Sequence, residues 1–321
     1  MVEVSVVIPA FRRVQALARA LGGLAAQDGL PGRCFEVVVV VDGGDAAVCA
    51  LLNGYDYTKA SDARRRYTTI PEGGPAVSRN AGAALARGRV LLFLDDDIIP
   101  SPTLVRAHLD LHQRESGVVG LGRIDLDGAR ALNPFERYLY GFYDVHYRKM
   151  DRAGYQPTFW DALTGNLSVP AEAFRAAGGF DERFSLLRHE DVELAYRLGR
   201  AGLRFRYLPS AVGYHQYVKT FRRGCNEAYA NGVSSVMLAQ RYPELHDALI
   251  RRRWGALPLT ARLAARALLR LDRVRLLAWL DALRPMMERI AGDARPFYRV
   301  AYHLSFWHGV RDAQNGHAPR P

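Results

Sequence analysis

Three consecutive carboxylates, Asp95-Asp96-Asp97, stand directly after the apolar run Leu91-Leu92-Phe93-Leu94 and before Ile98-Ile99-Pro100. Acids in that arrangement repel one another unless a cation joins them. Oxygen ligands suit Mg²⁺ or Mn²⁺, ions that usually also hold substrate phosphates. A polar turn with an acidic N-cap accounts for the same residues. A second acidic group, His189-Glu190-Asp191-Val192-Glu193, opens a stretch of helical spacing. Acids in a first turn are stabilised by the helix dipole, and Glu193 with Arg197 forms a favourable i,i+4 pair; the sharper reading makes Asp191 a general base. Asp42 closes another apolar run and can accept from a base N–H or a ribose hydroxyl, or cap a helix. Arg79 follows Gly73-Gly74-Pro75 and can pair with phosphate. His215 is either structural or the one nonacid metal ligand.

These residues converge only if the elements between them bring them to one edge. Val4–Ile8, ended by Pro9, and Phe35–Val41 read as buried strands, and a third strand ends near Ile70. Arg13–Ala26 carries Val14, Leu17, Ala18 and Leu21 at helical spacing, and a helix opened by Gly73-Gly74-Pro75 is closed by Gly88 before the strand Arg89–Leu94. Strands alternating with helices predict an α/β fold with a doubly wound, mostly parallel sheet and right-handed crossovers. Ligands of such sheets bind at the carboxyl ends of strands, where Asp42 and Asp95–Asp97 lie. Further on come strand Val118–Arg123, strand Asn166–Val169, a Gly178-Gly179 turn, a helix from His189 to Arg200, and strands Arg204–Leu208 and Ala211–Tyr214. Residues 131–160, rich in aromatics up to Trp160, read as a core helix or as a platform for a sugar acceptor. The expected division is a catalytic domain over 1–217, with a nucleotide-binding half (1–100) and an acceptor-binding half (101–217), followed by a helical C-terminal extension over 218–321.

Composition narrows the class. At 321 residues and 49% hydrophobic, the chain is long and apolar enough for a sizeable core. The net charge of +11 is concentrated in residues 251–321, where 14 arginines face 5 acids. Apolar positions such as Leu257, Leu263, Leu276, Leu277 and Leu280 alternate with those arginines. Such helices pack on their own domain, or form a basic amphipathic surface on anionic lipid with Trp254, Trp279 and Trp307 near the interface. No basic patch interleaved with aromatics precedes residue 250, which argues against nucleic acid. Cys34, Cys49 and Cys225 lack metal or disulfide spacing and indicate a reducing compartment. Met1–Ser5 has no basic n-region, Val4–Ile8 is too short for a signal peptide and no uncharged apolar stretch reaches about 18 residues, so neither a leader nor a membrane span is expected. The expectation is a cytoplasmic protein, with peripheral contact at the inner face of the cytoplasmic membrane as an alternative. Neither a Walker A loop nor Gly-x-Gly-x-x-Gly after the first strand occurs.

Seven segments in order, Val6-Val7-Ile8-Pro9-Ala10-Phe11, Val40-Val41-Asp42-Gly43, Gly73–Asn80, Phe93–Asp97, Thr164–Ser168, Gly178–Glu182 and Glu190–Leu194, resemble family 2 glycosyltransferases of GT-A fold over about residues 3–217. The resemblance implies a bacterial, metal-dependent, inverting enzyme of cell-surface or specialised glycan synthesis. It implies that Pro9, Ala10, Phe11 and Asp42 hold the nucleobase and that Arg79 fixes the base or the diphosphate. Asp95, Asp96 and Asp97 match the family's Asp-x-Asp site, with Asp95 toward ribose and metal and Asp97 as principal ligand of Mn²⁺ or Mg²⁺. Asp191 matches the catalytic base, with Glu190 beside it, and His215 completes the metal shell. Sugar and acceptor selection fall to Thr164, Gly165, Asn166 and Trp160. A UDP-sugar is the favoured donor, with GDP and dTDP donors open, and the acceptor is a glycan, a lipid-linked sugar or a small molecule. The Asp-Asp-Gly-Ser usual after the second strand is here Val41-Asp42-Gly43-Gly44, one acid fewer, which bears on base preference; no Gln-x-x-Arg-Trp follows, which points to single addition. The alternatives are a nucleotidyltransferase and a noncatalytic nucleotide-sugar or membrane-surface binding module.

Overall fold

Runs of β-branched residues at Val4–Ala10 (β1) and Phe35–Asp42 (β2) form strands buried along nearly all their length in the computed structural model, which describes residues 2–30, 34–54, 64–184, 188–255, 259–290 and 292–316. The chain divides into two units: residues 1–131, 143–186 and 190–217 form one, and residues 132–142, 187–189 and 218–321 the other.

In the first unit, helices α1 (Val14–Ala25), α2 (Ala46–Gly54) and α3 (Gly74–Leu85) connect β1, β2, β3 (Arg64–Ile70) and β4 (Val90–Leu94). Then follow β5 (Ile98–Pro100), α4 (Leu104–Arg114), β6 (Val118–Leu126), α5 (Pro134–Met150, whose residues up to Phe142 belong to the other unit), β7 (Asn166–Pro170), α6 (Ala171–Ala176), α7 (Glu190–Arg200) and β8 (Arg204–His215). The eight strands make one sheet in the order β3-β2-β1-β4-β7-β6-β8-β5. β3, β2, β1 and β4 are mutually parallel; β7 is antiparallel to β4 and β6; β6 and β8 are parallel; β5 is antiparallel to β8. Because Ala10 lies opposite Val41, and Val7 opposite Phe93, the carboxyl ends of β1, β2 and β4 fall on one edge. Side chains alternate across the pleat. Val6, Ile8, Val39, Leu92 and Leu94 therefore pack with Leu17 and Leu21 on one face, while Val7, Leu91 and Phe93 pack with Ala76, Phe174 and Phe180 on the other.

Three local expectations change. Pro9 does not end β1 but lies within it, opposite Val40. Ile98–Pro100 is a strand, at the sheet edge where proline costs no ladder hydrogen bond. Arg204–Leu208 and Ala211–Tyr214 are one strand, β8, whose register against β6 shifts between Gly122 and Arg123. That bulge hides the continuity from an alternation pattern.

A buried polar chain ties β6, β7, β8 and α4 together. His112 Nε2 lies 2.8 Å from Ser168 Oγ, which lies 2.7 Å from His108 Nδ1, and His108 Nε2 lies 2.9 Å from Asn166 Oδ1. Asn166 Nδ2 donates to the carbonyls of Arg123 and Ala211. Burial lowers the His108 pKa to about 3 and that of His112 to about 4, so both rings stay neutral. Every member is satisfied if His112 donates to Ser168, Ser168 to His108 and His108 to Asn166. Glycines on β6 make the room. A Cβ on Gly122 would lie 2.2 Å from Asn166 Nδ2, and one on Gly120 2.5 Å from Ser168 Oγ.

The second unit holds α8 (Phe221–Arg241), α9 (Arg252–Gly255), α10 (Leu259–Leu268), α11 (Arg273–Ile290) and α12 (Arg295–Gln314). α8 and α12 cross closely at two glycines. A Cβ on Gly232 would lie 2.0 Å from the Phe306 carbonyl oxygen, and one on Gly309 2.1 Å from that of Tyr229. Phe135 meets Phe221 and Tyr298 edge-to-face, with centroids at 5.1 and 5.2 Å. The arginine-rich tail is thus built of packed helices: Trp307 is buried against Trp254, whereas Trp279 is exposed. Leu257 lies outside the described residues.

Gly122→Ala forces the added methyl into the Asn166 amide and is expected to destabilise the protein by about 1–3 kcal/mol. Thermal denaturation checks this, and an unchanged midpoint would contradict the close approach.

Candidate active site

Asp95, the first residue past β4, is held by one guanidinium. Arg79, on α3 and only 4% exposed, donates from Nη2 to Asp95 Oδ1 at 2.8 Å and from Nη1 to Glu190 Oε1 at 3.0 Å. The Phe180 ring lies 5.5 Å from the same guanidinium. A buried arginine requires counter-charge, and here the end of β4 and the start of α7 each supply a carboxylate. Glu190 and Asp191, nearly a hundred residues beyond Asp95, are thereby brought to the edge where Asp95–Asp97 lie. The loop Gly178–Glu182 braces this junction. Asn80 accepts from Phe180 N at 2.8 Å and donates to Phe180 O at 2.9 Å and to Glu182 Oε1 at 3.0 Å. Arg197, paired with the fully buried Glu193 at 2.6 Å, donates to the Gly179 carbonyl at 2.6 Å.

The three acids of the cluster have three different environments. Asp95 is a third exposed on its side chain. Its backbone N–H faces the Gly165 carbonyl at 3.4 Å. A Cβ on Gly165 would approach Asp95 Oδ2 to 3.2 Å. Asp96 is wholly buried: Oδ2 accepts from Phe11 N at 3.2 Å and Oδ1 lies 2.6 Å from Arg13 Nη2. Burial pushes its carboxyl up to about 7, against the pull of Arg13. Asp97 also pairs with Arg13, and its Oδ2 lies 3.5 Å from His215 Nε2. Tyr143 and Tyr217 flank His215 edge-on, with centroids at 5.9 and 4.9 Å, and its Nδ1 is buried without a hydrogen-bond partner.

Several of the expected site residues have partners within the protein. Asp96 is fully buried and bonds to Phe11 and Arg13 of the β1–α1 turn. Arg79 is committed to two carboxylates rather than left for phosphate or base. Asp42 accepts from Gly73 N at 2.8 Å and Gly74 N at 2.9 Å, so both its oxygens serve the start of α3. Asn166 is spent in the buried network and Thr164 is 3% exposed, so neither offers its side chain to a sugar. Ala10 is buried, leaving only its backbone for a base, whereas Pro9 and Phe11 keep some exposure. Trp160, on a 3₁₀ turn, stacks on Phe159 at 4.7 Å and remains partly exposed. A cavity of about 470 Å³, lined among others by Phe159, Tyr196, Arg200 and Phe205, lies at the opposite end of α7 from Glu190 and Asp191, away from the acids. Sequence reasoning gave no role to Arg13 or Tyr217, placed Tyr143 only within the aromatic stretch and Phe180 only within a motif. For Arg13 a signal existed, since three adjacent acids call for a nearby cation.

Among the described residues, no three acidic, histidine or cysteine side chains converge as a preformed metal cage. The donors present nevertheless fit a divalent ion held jointly with a diphosphate, which needs only one or two protein ligands. Asp97 and His215 face each other, with one nitrogen of the ring aimed at the carboxylate. The guanidinium of Arg13 supplies the positive charge beside Asp96 and Asp97.

The parallel half-sheet with its acids at the carboxyl edge, followed by antiparallel β7, is the GT-A arrangement. The chain belongs to glycosyl transferase family 2: the family model matches residues 5–170, and the related model, glycosyl transferase family group 2, matches residues 90–306. It is 30% identical over 273 residues to validoxylamine A glucosyltransferase of Streptomyces hygroscopicus subsp. limoneus, covering 77% of this chain and 57% of the relative. It is 28% identical over 244 residues to pre-mycofactocin glycosyltransferase of Mycobacterium tuberculosis, covering 75% of this chain and 48% of that one. The chain therefore spans about half the length of these relatives. Among solved structures it resembles the mannosyltransferase PcManGT from Pyrobaculum calidifontis in complex with GDP-Man and Mn²⁺ (TM-score 0.62, 18% identity, 97% of this chain and 87% of that one). It also resembles S. aureus TarS 1–349 in complex with UDP-GlcNAc (TM-score 0.57, 15% identity, 99% and 93%).

Arg79→Met leaves Asp95 and Glu190 without their shared counter-charge and is expected to lower unfolding free energy by about 2 kcal/mol or more. Urea denaturation measures this, and a change within about 0.5 kcal/mol, the range of an ordinary surface substitution, would contradict it.

Proposed function

We propose that the protein is an inverting glycosyltransferase that moves a sugar from a nucleoside diphosphate to an acceptor hydroxyl. The observation that carries the reading is the Arg79 bridge, which sets Glu190-Asp191 beside the acids that end β4. A nucleoside diphosphate leaves as a stable anion, so the site needs no carboxylic acid to protonate it, unlike a glycosidase with its acid–nucleophile pair. One base suffices. Asp191, in the first turn of α7, accepts from Val192 N at 2.8 Å through Oδ1. It takes the acceptor proton as the acceptor oxygen bonds to the anomeric carbon and the bond to the diphosphate oxygen breaks. A single displacement inverts that carbon. The base must come within about 3 Å of the hydroxyl it deprotonates.

On this reading Pro9, Phe11 and the Ala10 backbone border the nucleobase, and Asp95 presents its exposed oxygen to the donor. Gly165 lets Asp95 and Ile124 pack against its backbone, where a Cβ would meet each at 3.2 Å. Asp97 and His215 hold Mn²⁺ or Mg²⁺ together with the donor. The ion, when bound, neutralises the charge that develops on the leaving diphosphate. The complexes of PcManGT with GDP-Man and Mn²⁺ and of TarS with UDP-GlcNAc support a nucleotide-sugar donor. A UDP-sugar is the first choice, and the acceptor is a glycan, a lipid-linked sugar or a small molecule. No helix among the described residues is long and apolar enough to cross a membrane.

Asp191→Asn is expected to reduce turnover by at least about a hundredfold, the contribution of a positioned base, with donor affinity within about twofold of wild type. Single-turnover transfer and donor titration separate the two effects. Normal transfer by the variant would remove Asp191 from the base role, and a parallel loss of donor binding would make it a binding residue.

A further inference from the structure

Helix α11 of the second unit has two apolar faces, and only one of them is covered. Leu276, Leu277 and Leu280 are buried, and Arg273 beside them lies 4.1 Å from the Tyr229 ring. The opposite face is exposed: Val274 by 58%, Trp279 by 58%, Met286 by 47% and Ile290 by 75%, with Ala278 and Ala282 between them. At about 100° per residue these six positions fall within an arc of about 160°. Arg275 and Arg289, also exposed, lie in the same arc. The acids of α11 point elsewhere. Asp281 accepts from Arg222 Nε at 2.6 Å and Arg284 Nε at 3.2 Å, and Glu288 accepts from Arg284 and from Tyr298 Oη. The outer face is thus apolar and positive, with no carboxylate in it. Just before the helix Arg270, Leu271 and Asp272 are exposed as well, and the Asp272 carboxylate accepts from Arg275 N at 2.9 Å.

We infer that this face of α11 lies on an anionic lipid surface. An exposed apolar stripe of this extent marks an interaction site. A helix with buried leucines on one side and Trp, Met, Ile and Arg on the other suits the plane of a headgroup layer, where the apolar side chains enter the acyl boundary and the guanidinium groups meet lipid phosphates. A second copy fits less well. Isologous pairing would lay Arg275 and Arg289 against their own equivalents with no acid in the arc to offset them. The inference stands apart from the proposed reaction and concerns where the protein works.

The test is flotation of the full chain with vesicles of phosphatidylcholine alone and of phosphatidylcholine mixed with phosphatidylglycerol. Binding to the anionic vesicles and not to the neutral ones is expected. The exposed-site double variant Trp279→Ser/Ile290→Ser, with unchanged circular dichroism and melting midpoint, is expected to bind about tenfold more weakly. Arg275→Glu/Arg289→Glu is expected to abolish the anionic preference. Equal flotation of wild type and the serine variant, or no flotation of wild type, overturns the proposal. Self-association in sedimentation velocity that the serine variant abolishes also overturns it, and assigns the face to a second copy.

Discussion

A single buried guanidinium organises the carboxyl edge of the parallel half-sheet. Arg79 carries a charge that water cannot reach, and such a charge is tolerated only with good hydrogen-bonded partners. Its partners come from the end of β4 and the start of α7, so the pairing links two segments far apart in the chain. The surrounding contacts serve the same junction. Phe180 packs against the guanidinium, Asn80 grips the Phe180 backbone from both sides, and Arg197 holds the preceding loop while pairing with Glu193. Asp42 secures the first turn of α3, the helix that carries Arg79.

The same logic sorts the acidic triplet. Three neighbouring carboxylates cannot share one environment without severe repulsion, and the fold gives each its own. Asp95 shares Arg79 and keeps a third of its surface. Asp96 is sealed under β1, where it receives the Phe11 amide and Arg13. Asp97 shares Arg13 and faces His215. Only the first and third keep side-chain exposure. The three acids lie in the tight turn between β4 and β5, closed by the Ile98 N–H on the Asp95 carbonyl, and that turn sends their side chains to different neighbours.

Much of this was legible in the chain. Continuous apolar runs marked β1, β2 and β4, and their alternation with helical spacing gave the parallel half-sheet; the family resemblance drew on motifs at those same strand ends. What remained hidden depended on contacts distant in sequence. Nothing local distinguishes Asp96 from Asp95 and Asp97, because its burial is set by Arg13 and Phe11, more than eighty residues earlier. Asn166 reads as the start of a strand and, through the resemblance, as a sugar contact, yet Gly122 on β6 opens the space that lets it serve as a buried strut. Arg79 next to a glycine-opened helix suggests phosphate; only the fold shows that two acids already hold it. The unbroken β8 was obscured by its bulge, and the short β5 by its length.

The central claim is that Asp97 and His215, on the edge organised by Arg79, form a donor site that works with a divalent ion. Calorimetric titration of the protein with UDP, GDP and dTDP, each with and without Mn²⁺, tests it most directly. Tight, Mn²⁺-dependent binding of one nucleotide, lost in Asp97→Ala while the fold is retained, is the expected result. Binding that is indifferent to Mn²⁺ and to Asp97, or no binding of any nucleotide, would contradict the account.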